Sequence, residues 1–125
     1  MEPLPTRVAE LKAVLDALPG ATSEPVPGPR DRTRPALLYK VRGKVFAILQ
    51  LRGEQKVGLK CDPHLGEILR GEYEGVGHYR LHLRNWISVR LDADVPWDEA
   101  LRLAEGSYET VRAGLTRAQQ AQLTR

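Results

Sequence analysis

Apolar residues recur at helical spacing near both ends of the chain and at strand spacing through its middle. Val8, Leu11, Leu15 and Leu18, three or four apart, predict a first helix with one apolar face, capped by Thr6 and stopped by Pro19-Gly20. The next fifteen residues, 21–35 (ATSEPVPGPRDRTRP), hold four prolines and three arginines without apolar periodicity, and predict an irregular Pro/Arg-rich connector. Leu37 to Val41 and Lys44 to Leu51 are rich in apolar and β-branched residues. Arg42-Gly43 between them has the composition of a tight hairpin turn. After Gly53-Glu54-Gln55, Lys56 to Lys60 alternates, with Val57 and Leu59 on one face and Lys56 and Lys60 on the other.

Asp62-Pro63 reads as the N-cap and first residue of a short second helix, with Leu65, Ile68 and Leu69 on its apolar side and Gly71 at its end. The run YRLHLRNWISVRL reads as two strands broken near Arg84 and Asn85. Tyr79, Leu81 and Leu83 then point inward and Arg80, His82 and Arg84 outward. Past the break, Ile87, Val89 and Leu91 point inward and Trp86, Ser88 and Arg90 outward. Pro96 opens the longest helix, with Asp94, Asp98 and Glu99 at its positive end and a core stripe of Trp97, Leu101, Ala104, Tyr108, Val111 and Leu115. Thr116 and Gln119 resemble a capping box for a last helical segment. The order α-βββ-α-ββ-α predicts an α+β domain with one antiparallel sheet, helices on one face, and a core including Leu37, Tyr39, Leu49, Val57, Leu59, Leu81 and Val89.

The length of 125 residues suits one domain spanning 1–125. With 42% hydrophobic and 28% charged residues and no long apolar run, the chain reads as a globule that does not cross a membrane. Its start, MEPLPTRVAEL, lacks the pattern of an export signal, so a cytoplasmic monomer is expected, and the single cysteine, Cys61, fits a reducing compartment. The net charge of +3 hides an asymmetry. Arg30 to Arg90 hold 13 basic and 6 acidic residues, a balance of +7, and the rest of the chain balances at −4. Such a field steers a polyanion to one face.

Catalytic and metal templates are mostly missing. Cys61-x-x-His64 with His78-x-x-x-His82 superficially has zinc-finger spacing, but an extended strand would set the two last histidines about 13 Å apart, too far for one ion. No metal and no cofactor are therefore expected. There is no nucleophile elbow, phosphate loop or dinucleotide fingerprint. Asp92 and Asp94 lie beside a helix start, where acids serve the dipole, and Ser88 with His82 lacks an orienting acid and an oxyanion site. A non-enzymatic protein is expected. Cys61 reads as a small half-buried residue at a strand end.

Several segments together carry a family resemblance: Leu18-Pro19-Gly20, the stretch KVRGKVFA from Lys40 to Ala47, Leu59-Lys60-Cys61-Asp62-Pro63, Trp86-Ile87-Ser88-Val89 and Ser107-Tyr108. In this order they resemble the MmcQ/YjbR-like family of small bacterial proteins over nearly the whole chain. The resemblance implies a CyaY-like, frataxin-related fold and a proposed double-wing mode of DNA binding, in which two hairpins flank a helix. Family members typically carry Asn-Lys-Lys/Arg-His just before the tryptophan, where this chain has His82-Leu83-Arg84-Asn85, keeping a cation at Arg84 and placing Leu83 at the family's lysine. Frataxin-type iron handling is not carried over, because the first helix offers only Glu10 and Asp16. The expected DNA-binding residues are Lys40, Arg42, Lys44, Arg80, Arg84 and Trp86, assisted by Arg30, Arg32 and Arg34 of the connector. Trp86 is open to two readings, a packed core residue or a stacking surface among arginines. The alternative function is a protein-interaction or regulatory domain without nucleic-acid binding.

Overall fold

The alternation read from the chain becomes a six-stranded antiparallel sheet with helices on one side, seen in a computed structural model that describes residues 3–27, 35–80 and 83–123. In chain order the elements are α1 (Thr6–Asp16), β1 (Ala21–Val26), β2 (Ala36–Val41), β3 (Lys44–Gln50), β4 (Lys56–Lys60), α2 (Pro63–Glu72), β5 (Val76–His78), β6 (Trp86–Arg90), α3 (Trp97–Ala113) and α4 (Arg117–Leu123). The strand order across the sheet is β1-β2-β3-β4-β6-β5, with every neighbouring pair antiparallel. One face carries Leu37, Tyr39, Val41, Leu49, Val57, Leu59, Ile87 and Val89, all buried. Helix α1 packs on β1 and β3, α3 on β2, β3 and β4, and α2 on β5 and β6. Of the core expected in the sheet, Leu37, Tyr39, Leu49, Val57, Leu59 and Val89 are therefore buried, while Leu81 lies outside the described residues.

The connector prediction is corrected over its first half. Ala21–Val26 pairs with β2 along its whole length, from Ala21 opposite Val41 to Val26 opposite Ala36. It is an edge strand, and its middle residues, Thr22 to Pro25, are exposed, so no apolar alternation was needed to build it. An edge also tolerates Pro25. Arg30, Arg32 and Arg34 lie outside the described residues.

The first strand of the run YRLHLRNWISVRL is also corrected. β5 ends at His78, opposite Ile87, and the chain bends at Tyr79 because β6 extends only one residue further, to Trp86. Turn hydrogen bonds from Leu83 N–H to the Arg80 carbonyl and from Trp86 N–H to the Leu83 carbonyl fold the connection into a loop. Tyr79 does not enter the core beneath the helices. Its ring lies over Gly58 on the opposite face of the sheet, so close that a Cβ at position 58 would sit 2.9 Å from it.

A bulge between Tyr39 and Lys40 pairs Tyr39 with Ala47 but Lys40 with Val45, leaving Phe46 as the extra residue, buried together with Ala47. Phe46 packs between Tyr39 and Tyr108, ring centroids 6.1 and 5.3 Å away. Where the bulge ends the β3–β4 ladder, Ser107 of α3 takes over. Lys60 N–H donates to its hydroxyl at 2.8 Å, and the hydroxyl donates to the Phe46 carbonyl. The Tyr108 hydroxyl donates to the Pro19 carbonyl at 2.6 Å, fastening α3 to the turn before β1. The α3 stripe is buried from Ala104 onward, whereas Trp97 and Leu101 are half-buried, Trp97 beneath the Arg7 guanidinium. Thr116 and Gln119 form the capping box, each side chain accepting from the other's backbone N–H.

Candidate nucleic-acid interface

Antiparallel pairing sends both hairpins of the basic half to the same end of the sheet. The β2–β3 turn is the two-residue loop Arg42-Gly43, closed by Val41 opposite Lys44, with φ of 50° and 81° at the two central residues. Two positive φ values match the twist of the flanking strands. The loop joining β5 to β6 leaves from the same end, since Lys60 at the close of β4 pairs with Trp86 at the opening of β6. Between the two tips α2 begins, its first turn capped by the Asp62 carboxylate, which accepts from His64 and Leu65 N–H at 3.0 and 3.2 Å.

The predicted site residues divide into those this end collects and one that is partly neutralised. Arg42 and Lys44 are exposed on the first tip, and Arg80 and Arg84 on the second. Arg80 leans toward the Tyr79 ring, 5.9 Å from its centroid. Trp86 is half-buried on the open face, not in the core beneath the helices, and its ring lies 5.9 Å from that of Tyr79 at an interplanar angle of 40°. Lys40, on the same face, pairs with Glu24 of β1 at 2.9 Å. The sequence reading missed Lys60, whose alternation with Leu59 already placed it on the polar face, and Tyr79, which strand periodicity assigned inward. Beside the pair runs a groove of about 110 Å³ whose lining includes Ile48, Gln50, Lys56, Gly58, Tyr79 and Ser88.

Other chemistry is tied up in structure. Asp94 accepts from Glu74 and Gly75 N–H at 2.8 and 2.7 Å, bonds that hold its carboxyl below the usual aspartate range, and Asp92 pairs with Arg90 at 3.2 Å. The two acids brace the ends of β5 and β6. Cys61 is buried, and burial, followed by the neighbouring Asp62, pushes its thiol pKa up although Arg70 opposes the shift. Among the described residues no group of three or more His, Cys, Asp or Glu side chains is placed to hold a metal ion, and no helix is long and apolar enough to cross a membrane. His82 lies outside the described residues.

No curated protein matches the chain. Among solved structures, the Deinococcus radiodurans protein DR2400, which carries the domain DUF419, is similar at 29% identity with a TM-score of 0.79, over 94% of this chain and 87% of that one. A Pseudomonas syringae protein shares the fold at 22% identity and a TM-score of 0.54, over 70% of this chain and 86% of its own. The YjbR family model matches residues 16–110, a span that takes in both hairpins, α2 and the Ser107-Tyr108 staple. The chain belongs to the YjbR family.

Proposed function

We propose that this protein is a non-enzymatic domain that binds duplex DNA weakly and with little sequence preference, as a cytoplasmic monomer, through its two hairpin tips and the open sheet between them. The observation that carries the reading is where cations stand without acids. Lys12, Lys40, Lys56, Arg90, Arg102 and Arg112 each hold a carboxylate partner. Among the described residues, Arg42, Lys44, Lys60 and Arg84 form no ion pair and stand at the end of the sheet where the tips meet; Arg80, also without an ion pair, lines the open-face groove with Glu54 and Lys56, and Arg7, Arg70 and Arg117 stand unpaired on helices. Cations left unneutralised on one end are what a phosphate backbone requires. Arg42 adds weight, since it occupies a left-handed backbone conformation at a cost of about 1 kcal/mol relative to glycine. The Tyr79–Trp86 pair offers aromatic surface beside these cations.

The test is a salt titration of binding to a generic duplex. Neutralising about 3–5 phosphates gives a log–log slope of roughly −3 to −4.5. Replacing Arg80 and Arg84 together by alanine flattens it by about two units. Absence of binding at low salt sinks the reading. A protein-interaction role is the second reading, favoured by one observation: Leu65 and Ile68, expected on the packed side of α2, are 43% and 51% exposed. The double variant Leu65→Ser, Ile68→Ser leaves the duplex slope unchanged if DNA is the partner.

A further inference from the structure

A cleft of about 420 Å³ opens between α2 and the β5–β6 hairpin, lined by Pro63, His64, Glu67 and Arg70 from the helix and by His78 and Arg84 from the hairpin. Two arginines and two histidines thus line it against one glutamate, and among the described residues Arg70 and Arg84 form no ion pair. Arg70 is held in place by packing. Its Nη1 lies 3.2 Å from where a Cβ on Gly66 would project, and Ile87 Cγ2 crowds the same spot at 3.2 Å, so the guanidinium lies back across a glycine in the middle of a helix. Glycine at such a position is costly to the helix, by about 1 kcal/mol relative to alanine. Here it makes room for the arginine and for the close approach of β6.

We propose that this cleft is a phosphate seat, in which Arg70 and Arg84 grip the phosphate oxygens from two sides and His64 and His78 donate ring N–H bonds. Paired guanidinium forks suit a tetrahedral oxyanion because each presents two parallel donors to it. The volume lies within the range of small-ligand clefts, and the lining is polar throughout its cationic half. In the DNA-binding reading the group is a backbone phosphate, and for that source the proposal rests on that reading. Glu67 is the acid that opposes the anion, so its removal strengthens binding.

The experiment uses the full chain labelled with ¹⁵N and titrated with inorganic phosphate at constant ionic strength against chloride. The expected result is a saturable shift of the amides of His64, Arg70, His78 and Arg84 with phosphate alone. The double variant Arg70→Gln, Arg84→Gln weakens that binding about tenfold or more, and Glu67→Gln, an exposed substitution that keeps the helix, tightens it. If phosphate and chloride act alike on wild type and Glu67→Gln, the seat is disproved, even where duplex binding by the hairpin tips survives. A second arm separates the sources. Flattening of the duplex salt slope by about one unit in Arg70→Gln assigns the seat to backbone phosphate. Saturable phosphate binding without any duplex binding supports the seat for a free phosphate and refutes the DNA reading.

Discussion

Arg42 holds a left-handed backbone conformation that asparagine or glycine would hold with less strain. Arg42→Asn therefore raises stability by roughly 0.5–1 kcal/mol in urea denaturation, and in the proposed function it weakens duplex binding in the same protein. Opposite signs on the two measurements are the expected outcome, and unchanged binding would take Arg42 out of the interface. Ser107 illustrates the reverse case, a residue whose chemistry is wholly structural. Its hydroxyl is the partner of both Lys60 N–H and the Phe46 carbonyl at the point where the bulge interrupts the ladder. Ser107→Ala leaves both groups short of a partner and costs about 1–3 kcal/mol, a loss that denaturation measures. Ser107 stood out in the sequence only through family resemblance, and apart from that resemblance Tyr108 and Pro19 only as a core position and a helix stop. Their contacts join positions 61 and 89 residues apart, which no local pattern can display.

At the scale of elements, β2, β3, β4, β6, α1 and α3 were legible because each buries a face against something, and burial writes a period of two or of three to four into the chain. β1 buries almost nothing, and its existence depends on the free edge of β2. β5 was misplaced because the alternation of Tyr79, Leu81 and Leu83 mimics a strand, whereas pairing with β6 lasts only from Val76 to His78. α2 was placed correctly, but its packed side was not. Gly66 and Leu69 face Ile87 and the core, and Leu65 and Ile68 face out. The position of the second hairpin rests on Gly58. A methyl group there would meet the Tyr79 ring at 2.9 Å, so Gly58→Ala drives the ring off β4 and costs about 1–3 kcal/mol. The same substitution changes the Trp86 fluorescence, because Tyr79 is its ring neighbour. An unaltered spectrum would mean that the loop accommodates the methyl without moving.

For the whole molecule, the charge asymmetry acquires a direction only when the sheet is assembled. Arg90 lies at the far end of β6, paired with Asp92, and Arg102 is paired with Glu99 on α3. Arg90→Ala and Arg102→Ala accordingly leave the slope of duplex affinity against salt unchanged, while loss of Arg42 and Lys44 together flattens it by up to about two units. Equal effects from both sets would indicate diffuse attraction by net charge and not an oriented interface.

By itself the sequence determined the α+β class, the antiparallel hairpin at Arg42-Gly43, the inward sets of β2, β4 and β6, and the helix caps at Asp62 and Thr116, since each depends on neighbours within a few residues; the cap expected at Thr6 is not formed, because the first helix already includes Thr6 and follows Pro5 without a side-chain cap. Tertiary structure alone decided the pairing of β1, the turn of Tyr79 onto Gly58, the gathering of acid-free cations at one end, and the cleft that brings Arg70 of α2 to Arg84 of the hairpin. The physical reason is that strand order and helix docking set which distant residues share a surface. Local periodicity records only that a side chain is covered, not what covers it.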